Sequence, residues 1–450
     1  MHVVQLVVKN ASELDFSLPV LWDLRRRELA QVTIVYCVAD RSQILRDSDL
    51  YRDVLGRLGV RQVDFGDRLP LRHPVAKALW RRATGKPASD RHSVRQSLAA
   101  LRSRSLGLSE HLTALRHLSR GGVDVVLRRA QHVALRSAHI ANLLPELSPD
   151  VVLLGNRSFT RFPHRSAFFA ELSGSGRPVV LVPHAAHETI RDEFTPFDEE
   201  GDPLPDFVDY WLVLNQVETP SRFPGREQRF SRVGNPCLDR EWAGWLRSVV
   251  RSDVPTDGGP CRRTLVVIGR KFVAQGAPTP DDPFTLAYSE MRDHLASVAA
   301  GVAGSGHPYR VVLKAHPSTN RVLLSELLAD LLLPWDVSFD PAGALFAGAT
   351  AVTGMFSTAL VMAVPFGCTV IPIASRVQDF VDDRWVVMKE LYRGFESFVD
   401  DSSALANELR AAAGRVVDED GPTSEQAHIA RFFPGGSLRR CSDRVLELGA

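Results

Sequence analysis

The chain has 450 residues, 44% of them hydrophobic and 24% charged, and a formal net charge of +1. That length exceeds one ordinary hydrophobic core and predicts two domains, and the composition is that of a soluble globular protein. Cys37, Cys237, Cys261, Cys368 and Cys441 are scattered and form no CxxC, which argues against a disulfide framework or a zinc site and suits a reducing cytoplasm.

The first segment, MHVVQLVVKN, reads as a strand. No basic segment precedes it and no cleavage pattern follows, so the expectation is an intracellular protein without a signal peptide. Short β-branched runs at Val3–Val8, Val32–Val38 and Gln62–Phe65 alternate with the helix-like SLPVLWDLRRREL and the amphipathic Ile44–Leu58. This is a βαβαβ opening with connections long enough for parallel pairing. From Leu69 to Leu144 the chain is rich in Arg, Lys and His, with Leu98, Leu101, Leu108, Leu112, Leu115 and Leu118 at helical spacing. It reads as an inserted basic helical region, while Glu188–Asp209 is strongly acidic. Strands are expected again at Val151–Leu154, Val179–Val182 and Tyr210–Leu214. Pro255–Pro260, TDGG flanked by prolines, is the best linker candidate. Beyond it, strands are expected at Thr264–Ile268, Tyr309–Leu313, Val337–Phe339, Ala349–Thr353 and Thr369–Ile373. Helices are expected at Phe284–Ala303, Leu323–Leu332, Ala342–Gly348, Ser357–Val364, Val377–Leu391, Ser402–Val417 and Arg439–Leu448. No charge occurs from Pro341 to Ser375, yet Gly343, Gly348, Gly354, Pro365, Gly367 and Pro372 cut this run into pieces too short to span a bilayer. The alternation instead describes a parallel sheet covered on both faces.

Two polar groups fall just past strand ends, where such sheets bind ligands. In Lys314-Ala315-His316-Pro317, the imidazole can donate to a phosphate oxygen, Lys314 adds positive charge, and Pro317 fixes the turn. In Gly354-Met355-Phe356-Ser357-Thr358, Ser357 and Thr358 can cap a helix whose free N–H groups attract an anion. A capping histidine or an ordinary N-cap would need no ligand; the two groups together on one α/β unit point to a phosphate pocket. In PHAAHETIRDEF (Pro183–Phe194), His184 and His187 can act as bases near neutral pH, and Glu188 can orient one of them or serve itself. HETIR is not a zinc HExxH, because Arg191 stands at the fifth position. The turn Val233-Gly234-Asn235-Pro236-Cys237-Leu238-Asp239 opens a helix carrying Trp242 and Trp245, and Gly234, Asn235, His187 and Gly354 are expected to line a cleft between the halves. No P-loop and no GxGxxG occur, so neither a P-loop enzyme nor a nicotinamide or flavin enzyme is supported. The DxD pairs Asp47–Asp49 and Asp418–Asp420 lie in charged surroundings rather than at strand ends, so no metal is expected and no cofactor is called for.

The order of these motifs resembles GT-B glycosyltransferases, above all bacterial capsule and surface-polysaccharide transferases of the CMP-sugar and CDP-glycerol types. The GNPxxD turn is more distantly similar to that of UDP-N-acetylglucosamine 2-epimerases. The resemblance runs from about Pro149 onward. It implies an α/β GT-B fold, two Rossmann-like domains with a cleft between them: 1–254 for the acceptor, 258–417 for the nucleotide donor, and helices in 418–450 packing back across the cleft. It also implies metal-independent transfer of a sugar from a CMP- or UDP-sugar to a polysaccharide or lipid-linked acceptor. His184 and Glu188 would be catalytic, with Lys314, His316, Ser357 and Thr358 on the donor phosphate. A CDP-glycerol-type glycerophosphotransferase and a non-catalytic nucleotide-sugar-binding subunit remain alternatives. The basic region could dock an anionic acceptor or the inner membrane face from the cytoplasm. Nucleic acid is not expected as a partner, because Trp80 is the lone aromatic available there for stacking.

Overall fold

A computed structural model describes residues 1–7, 12–36, 48–64, 143–155, 172, 174–182, 209–213, 227–251, 263–273, 285–316, 319, 321–331, 333–355, 357–373, 395, 399–414, 429–430, 433 and 435–450. The first unit runs β1 (His2–Val7), α1 (Ser12–Asp15), α2 (Leu18–Arg26), β2 (Gln31–Tyr36), α3 (Asp49–Leu58), β3 (Arg61–Asp64), α4 (Leu143–Leu147), β4 (Val151–Leu154), β5 (Val179–Leu181), β6 (Tyr210–Val213), β7 (Phe230–Arg232) and α5 (Arg240–Arg251). The second runs β8 (Arg263–Ile268), β9 (Lys271–Val273), β10 (Thr285–Ala287), α6 (Tyr288–Gly304), β11 (Tyr309–Lys314), α7 (Arg321–Ala329), β12 (Trp335–Ser338), α8 (Ala342–Ala347), β13 (Ala351–Gly354), α9 (Thr358–Ala363), β14 (Thr369–Pro372) and α10 (Ser402–Gly414). Helix α11 (Ser437–Gly449) follows. The expected linker Pro255–Pro260, the helix Val377–Leu391 and nearly all of the basic region lie outside the described residues.

The strands assemble as a seven-stranded sheet, β3-β2-β1-β4-β5-β6-β7, and a five-stranded sheet, β12-β11-β8-β13-β14. All their pairings are parallel. The apolar runs explain this: Val3, Val4, Leu6 and Val7 of β1 are all fully buried, and strands apolar on both faces need helices above and below. Strand order reverses between β1 and β4 and again between β8 and β13. Such reversals leave a crevice at the carboxyl ends of the strands, the usual ligand position in open α/β sheets.

Local chemistry sets many element ends. Ser48 caps α3 by accepting from Tyr51 N at 3.1 Å, and Gly59 at φ 59° ends it in the left-handed region. Two expectations need correction. The helix expected from Phe284 starts at Tyr288, because Thr285–Ala287 pairs with Lys271–Val273 as a short parallel ribbon. The Glu290 carboxylate then accepts from Ala287 N at 2.7 Å, half of a capping box, and fixes that start. The strand expected at Val337–Phe339 is Trp335–Ser338, an edge strand paired only with β11, where half-exposure blurs the apolar pattern.

One face of the second sheet, with Val266, Ile268, Val312, Val352 and Val370, belongs to a core that continues through Phe346, Phe366, Leu246 and Trp242 into the first unit. The other face packs Leu265, Val267, Leu313 and Ile371 against Leu295 and Val298 of α6 and Leu405 and Leu409 of α10. Helix α5 spans the two units. Its Trp242 and Trp245 stack on each other at 5.3 Å and reach Trp22 of α2 at 5.7 and 5.4 Å. Its Leu246 lies where a Cβ on Gly343 of α8 would come within 3.2 Å, so that glycine lets the helices close up.

Helix α11 returns to the first unit and packs on α2. Asp23, 1% exposed, accepts from Arg26 Nε and Arg27 at 3.0 Å each, while Arg27 also reaches Asp443 of α11 at 2.9 Å. Burial alone would raise the Asp23 pKa, but hydrogen bonds from Arg27, Ser442 and Arg26 outweigh it and hold the carboxyl below its ordinary value. A carboxyl so depressed stabilises the fold above its unfolded pKa of about 4, and the contribution is lost as pH falls through the lowered folded value. Asp23→Ala should therefore lower stability by about 2 kcal/mol at pH 7, a figure kept modest because the arginines are partly solvated. Urea titrations at pH 7 and pH 3 check this: the gap between parent and variant should shrink in acid.

Candidate functional site

The carboxyl edge of the second sheet carries the candidate site. Strand register aligns Ser338, Lys314, Ile268, Gly354 and Pro372 in one row across β12, β11, β8, β13 and β14. Lys314 and Gly354 thus flank Ile268 from either side, about 5 Å per strand step, at the β8/β13 reversal. The sequence separates them by some forty residues; the sheet brings them together.

Lys314 is half-buried. Among the described residues its ammonium has one hydrogen bond, to Ala315 O at 3.2 Å, and no carboxylate within ion-pair reach. Burial lowers its pKa, while the charges of Asp15 and Asp340 push the other way. Two further polar groups near this strand end are under-satisfied. Thr319, 2% exposed, has a hydroxyl without a partner, and Asp340 Oδ1 is buried and unpaired although Oδ2 accepts from Ser338 Oγ at 2.8 Å. His316 is exposed, and its carbonyl accepts from Thr319 N at 2.9 Å. Buried donors and acceptors of this kind are normally met by water or ligand.

On the other side of the crevice, Ser357 is the N-cap of α9 and accepts from Ala359 N at 3.3 Å; Thr358 is the first helical residue. Gly354 has a packing reason to be glycine: a Cβ there would come within 3.0 Å of Ile268 Cβ and Ile268 O. Gly269 likewise lies against Lys314 O, from which its N–H is 2.9 Å. The sequence reading stopped at Ile268 and passed over Arg270 and Lys271, which follow at the same edge. Two basic residues directly after a buried apolar strand were the available signal.

Gly234 and Asn235 are buried in a turn that packs against α11, α5 and α2. Asn235 accepts from Cys237 N at 3.0 Å, Arg440 Nε donates to Val233 O at 3.1 Å, and a Cβ on Gly234 (φ 79°) would fall 2.2 Å from Ser437 Oγ. His184, His187 and Glu188 lie outside the described residues.

The first unit contributes a side chain that the sequence did not single out. Asp15, half-buried at the end of α1, accepts from the Tyr51 hydroxyl, and its carbonyl accepts from the Cys237 thiol at 3.3 Å. Tyr51 is 2% exposed, and its pKa is pushed well above the ordinary value by burial first and by Asp15 second. Among the described residues no three His, Cys, Asp or Glu side chains gather as they would around a metal, and no helix is long and apolar enough to cross a membrane.

No family model and no curated protein matches the sequence. Solved structures do. A Listeria monocytogenes protein described as a UDP-N-acetylglucosamine 2-epimerase superposes with a TM-score of 0.50 at 12% identity, covering 99% of this chain and 94% of that one. The Methanocaldococcus jannaschii UDP-GlcNAc 2-epimerase in complex with UDP-GlcNAc and UDP gives 0.47 at 11% identity, over 95% and 98% of the two chains. MurG of Acinetobacter baumannii gives 0.38 at 11% identity, over 99% of each. The fold is therefore GT-B, two Rossmann-like domains with a cleft between them.

Proposed function

We propose that this protein is a GT-B glycosyltransferase whose second unit holds the phosphate of a nucleotide-activated sugar. The observation that carries this reading is the Lys314 ammonium: half-buried, with one hydrogen bond and no ion pair among the described residues, at a strand end beside the β8/β13 crevice. The unused donors of such an ammonium can make charge-assisted hydrogen bonds to a phosphate. His316, Ser357, Arg270 and Lys271 lie on the same edge and add donors and charge. In the transfer, the sugar passes to an acceptor hydroxyl while the phosphate departs with its negative charge, which Lys314 and His316 meet. The acceptor class supported by the motif order is a surface polysaccharide or a lipid-linked saccharide. The excess of basic residues between Leu69 and Leu144 supports docking of an anionic acceptor or membrane surface.

A panel of CMP, CDP, UDP and GDP, read by thermal shift and calorimetry, tests the phosphate site. Lys314→Met should weaken the best nucleotide by about 1.5–3 kcal/mol, on the order of 10- to 150-fold. Because the folded state already disfavours this charge, the variant should melt no lower than the parent. Equal nucleotide affinity in the two proteins would remove Lys314 from the site. Nucleotide binding without release from any nucleotide sugar would leave a binding subunit instead of an enzyme.

A further inference from the structure

From the proposed phosphate subsite between Lys314 and Gly354, a nucleotide can extend along the row of strand ends in two directions. Toward β14 it meets Pro372 and Ile373, both apolar and buried. Toward β12 it meets polar atoms. Ser338 stands one strand step beyond Lys314 and three steps from Gly354, about 14 Å from the latter at the usual spacing. An extended nucleotide is long enough to cover that span. The ends of β11 and β12 are tied together, since Ala315 N donates to Ser338 O at 2.9 Å. Asp340 folds back on this pair: its N–H donates to Ser338 Oγ at 3.0 Å, and the Ser338 hydroxyl donates to Asp340 Oδ2 at 2.8 Å. The carboxylate is thereby held in place with Oδ1 left over, buried and without a partner among the described residues. Just past β11, Thr319 donates its N–H to His316 O at 2.9 Å, and its hydroxyl is likewise buried and unmet.

We propose that Asp340 Oδ1 and the Thr319 hydroxyl read the nucleobase of the bound nucleotide and select a base with an exocyclic amine (cytosine, adenine or guanine) over uracil. The inference rests on the phosphate site proposed above and names the base that goes with it. A carboxylate oxygen accepts and does not donate, so its partner must be an N–H or O–H group. An exocyclic amine supplies one. The Thr319 hydroxyl can donate to the ring nitrogen beside that amine in cytosine or adenine, or accept from the ring N–H of guanine. Uracil fits poorly. The single donor on its pairing edge lies between two carbonyl oxygens, and each of these is repelled by the carboxylate. Discrimination of this kind comes as much from the repulsion as from the bond gained. The reciprocal bonds with Ser338 hold the carboxylate before any ligand arrives, so little is lost in ordering it on binding.

The test is calorimetry on the full chain with CDP, UDP, ADP, GDP and IDP, which share a diphosphate and differ in the base. IDP is the reference for both purines, because it lacks the amine of each. One of the pairs CDP/UDP, ADP/IDP or GDP/IDP should show a preference of about 10- to 100-fold for the amine, and the pair that does identifies the base. Asp340→Asn keeps the shape and reverses the chemistry. Ser338 Oγ already accepts from the backbone N–H of residue 340, so its hydroxyl proton pairs with the amide oxygen and the amide nitrogen takes the place of Oδ1. A donor then stands where an acceptor stood. The preference should collapse to within threefold or invert, whereas a merely structural carboxylate would leave the ratio unchanged. Thr319→Val should melt no lower than the parent, since it removes an unmet buried hydroxyl, and should weaken the preferred nucleotide about 3- to 10-fold. This variant decides the matter if Asp340→Asn does not fold: unchanged affinity for the preferred nucleotide overturns the assignment. So does a parent whose three ratios all lie within threefold of one, or an Asp340→Asn protein that keeps the parent's ratio; in both cases the phosphate site stands. A parent that binds no nucleotide overturns the phosphate site itself, and the base assignment with it.

Discussion

Gly155→Ala is expected to destabilise the folded protein by about 2–4 kcal/mol, a large effect for one methyl group. The added Cβ would meet Glu13 O at 2.2 Å and the Glu13 carbonyl carbon at 2.8 Å. Both are main-chain atoms, which cannot rotate away as a side chain could, so α1 must shift or the strand end must. Gly56 provides the control. It is exposed in α3, and a Cβ there meets nothing within 4 Å. Gly56→Ala should therefore stabilise by about 0.5–1 kcal/mol, through lower chain entropy in the unfolded state and better helix propensity. Urea unfolding at an unchanged m-value reads both. Opposite signs are expected, and a Gly155→Ala midpoint equal to that of the parent would show that α1 does not lie against β4.

His294 should make the protein acid-sensitive. It sits on the core face of α6 among Met291, Leu295 and Val298, 5% exposed, and neither ring nitrogen has a hydrogen-bond partner. Burial, helped by the nearby Arg270 charge, lowers its pKa from 6.5 to about 4. The sign follows from proton counting. As pH falls below about 6.5 the unfolded chain takes up a proton at this position, whereas the folded chain resists until about pH 4. Stability from this group is intact above the upper value, falls by about 1.4 kcal/mol per pH unit between the two, and is constant below. The whole loss is about 3 kcal/mol. His294→Leu removes the titration and the two unmet nitrogens, so it should be at least as stable at pH 7.5 and clearly more stable than the parent at pH 5. Parallel stability–pH curves for parent and variant would contradict an uncharged, buried imidazole.

The sequence by itself determined the strands of both sheets wherever they are central. Runs such as Leu265–Ile268 and Val311–Leu313 are apolar on both faces, and a covered parallel sheet accommodates that. It also placed Lys314, His316, Gly354 and Ser357 at strand ends, because a charge or glycine directly after an apolar run is a local pattern. It missed the ribbon of Lys271–Val273 with Thr285–Ala287, whose partners are only three residues long and not adjacent in sequence. The edge strand β12 slipped by two residues, since half-solvated positions carry little pattern. Only the tertiary structure decided the rest. Asp15 lies in an unremarkable SELD segment, and nothing local distinguishes it from the other acids of the chain. Its meeting with Tyr51 depends on Gly155 seating α1 and on Tyr51 arriving with α3. Gly234 belongs to a turn legible in the sequence, but its packing against Ser437, some two hundred residues further on, is not. Hydrophobic periodicity and capping act within one element, so they leave a trace in the sequence. Contacts between elements arise from how whole faces pack, and no short stretch of residues encodes them.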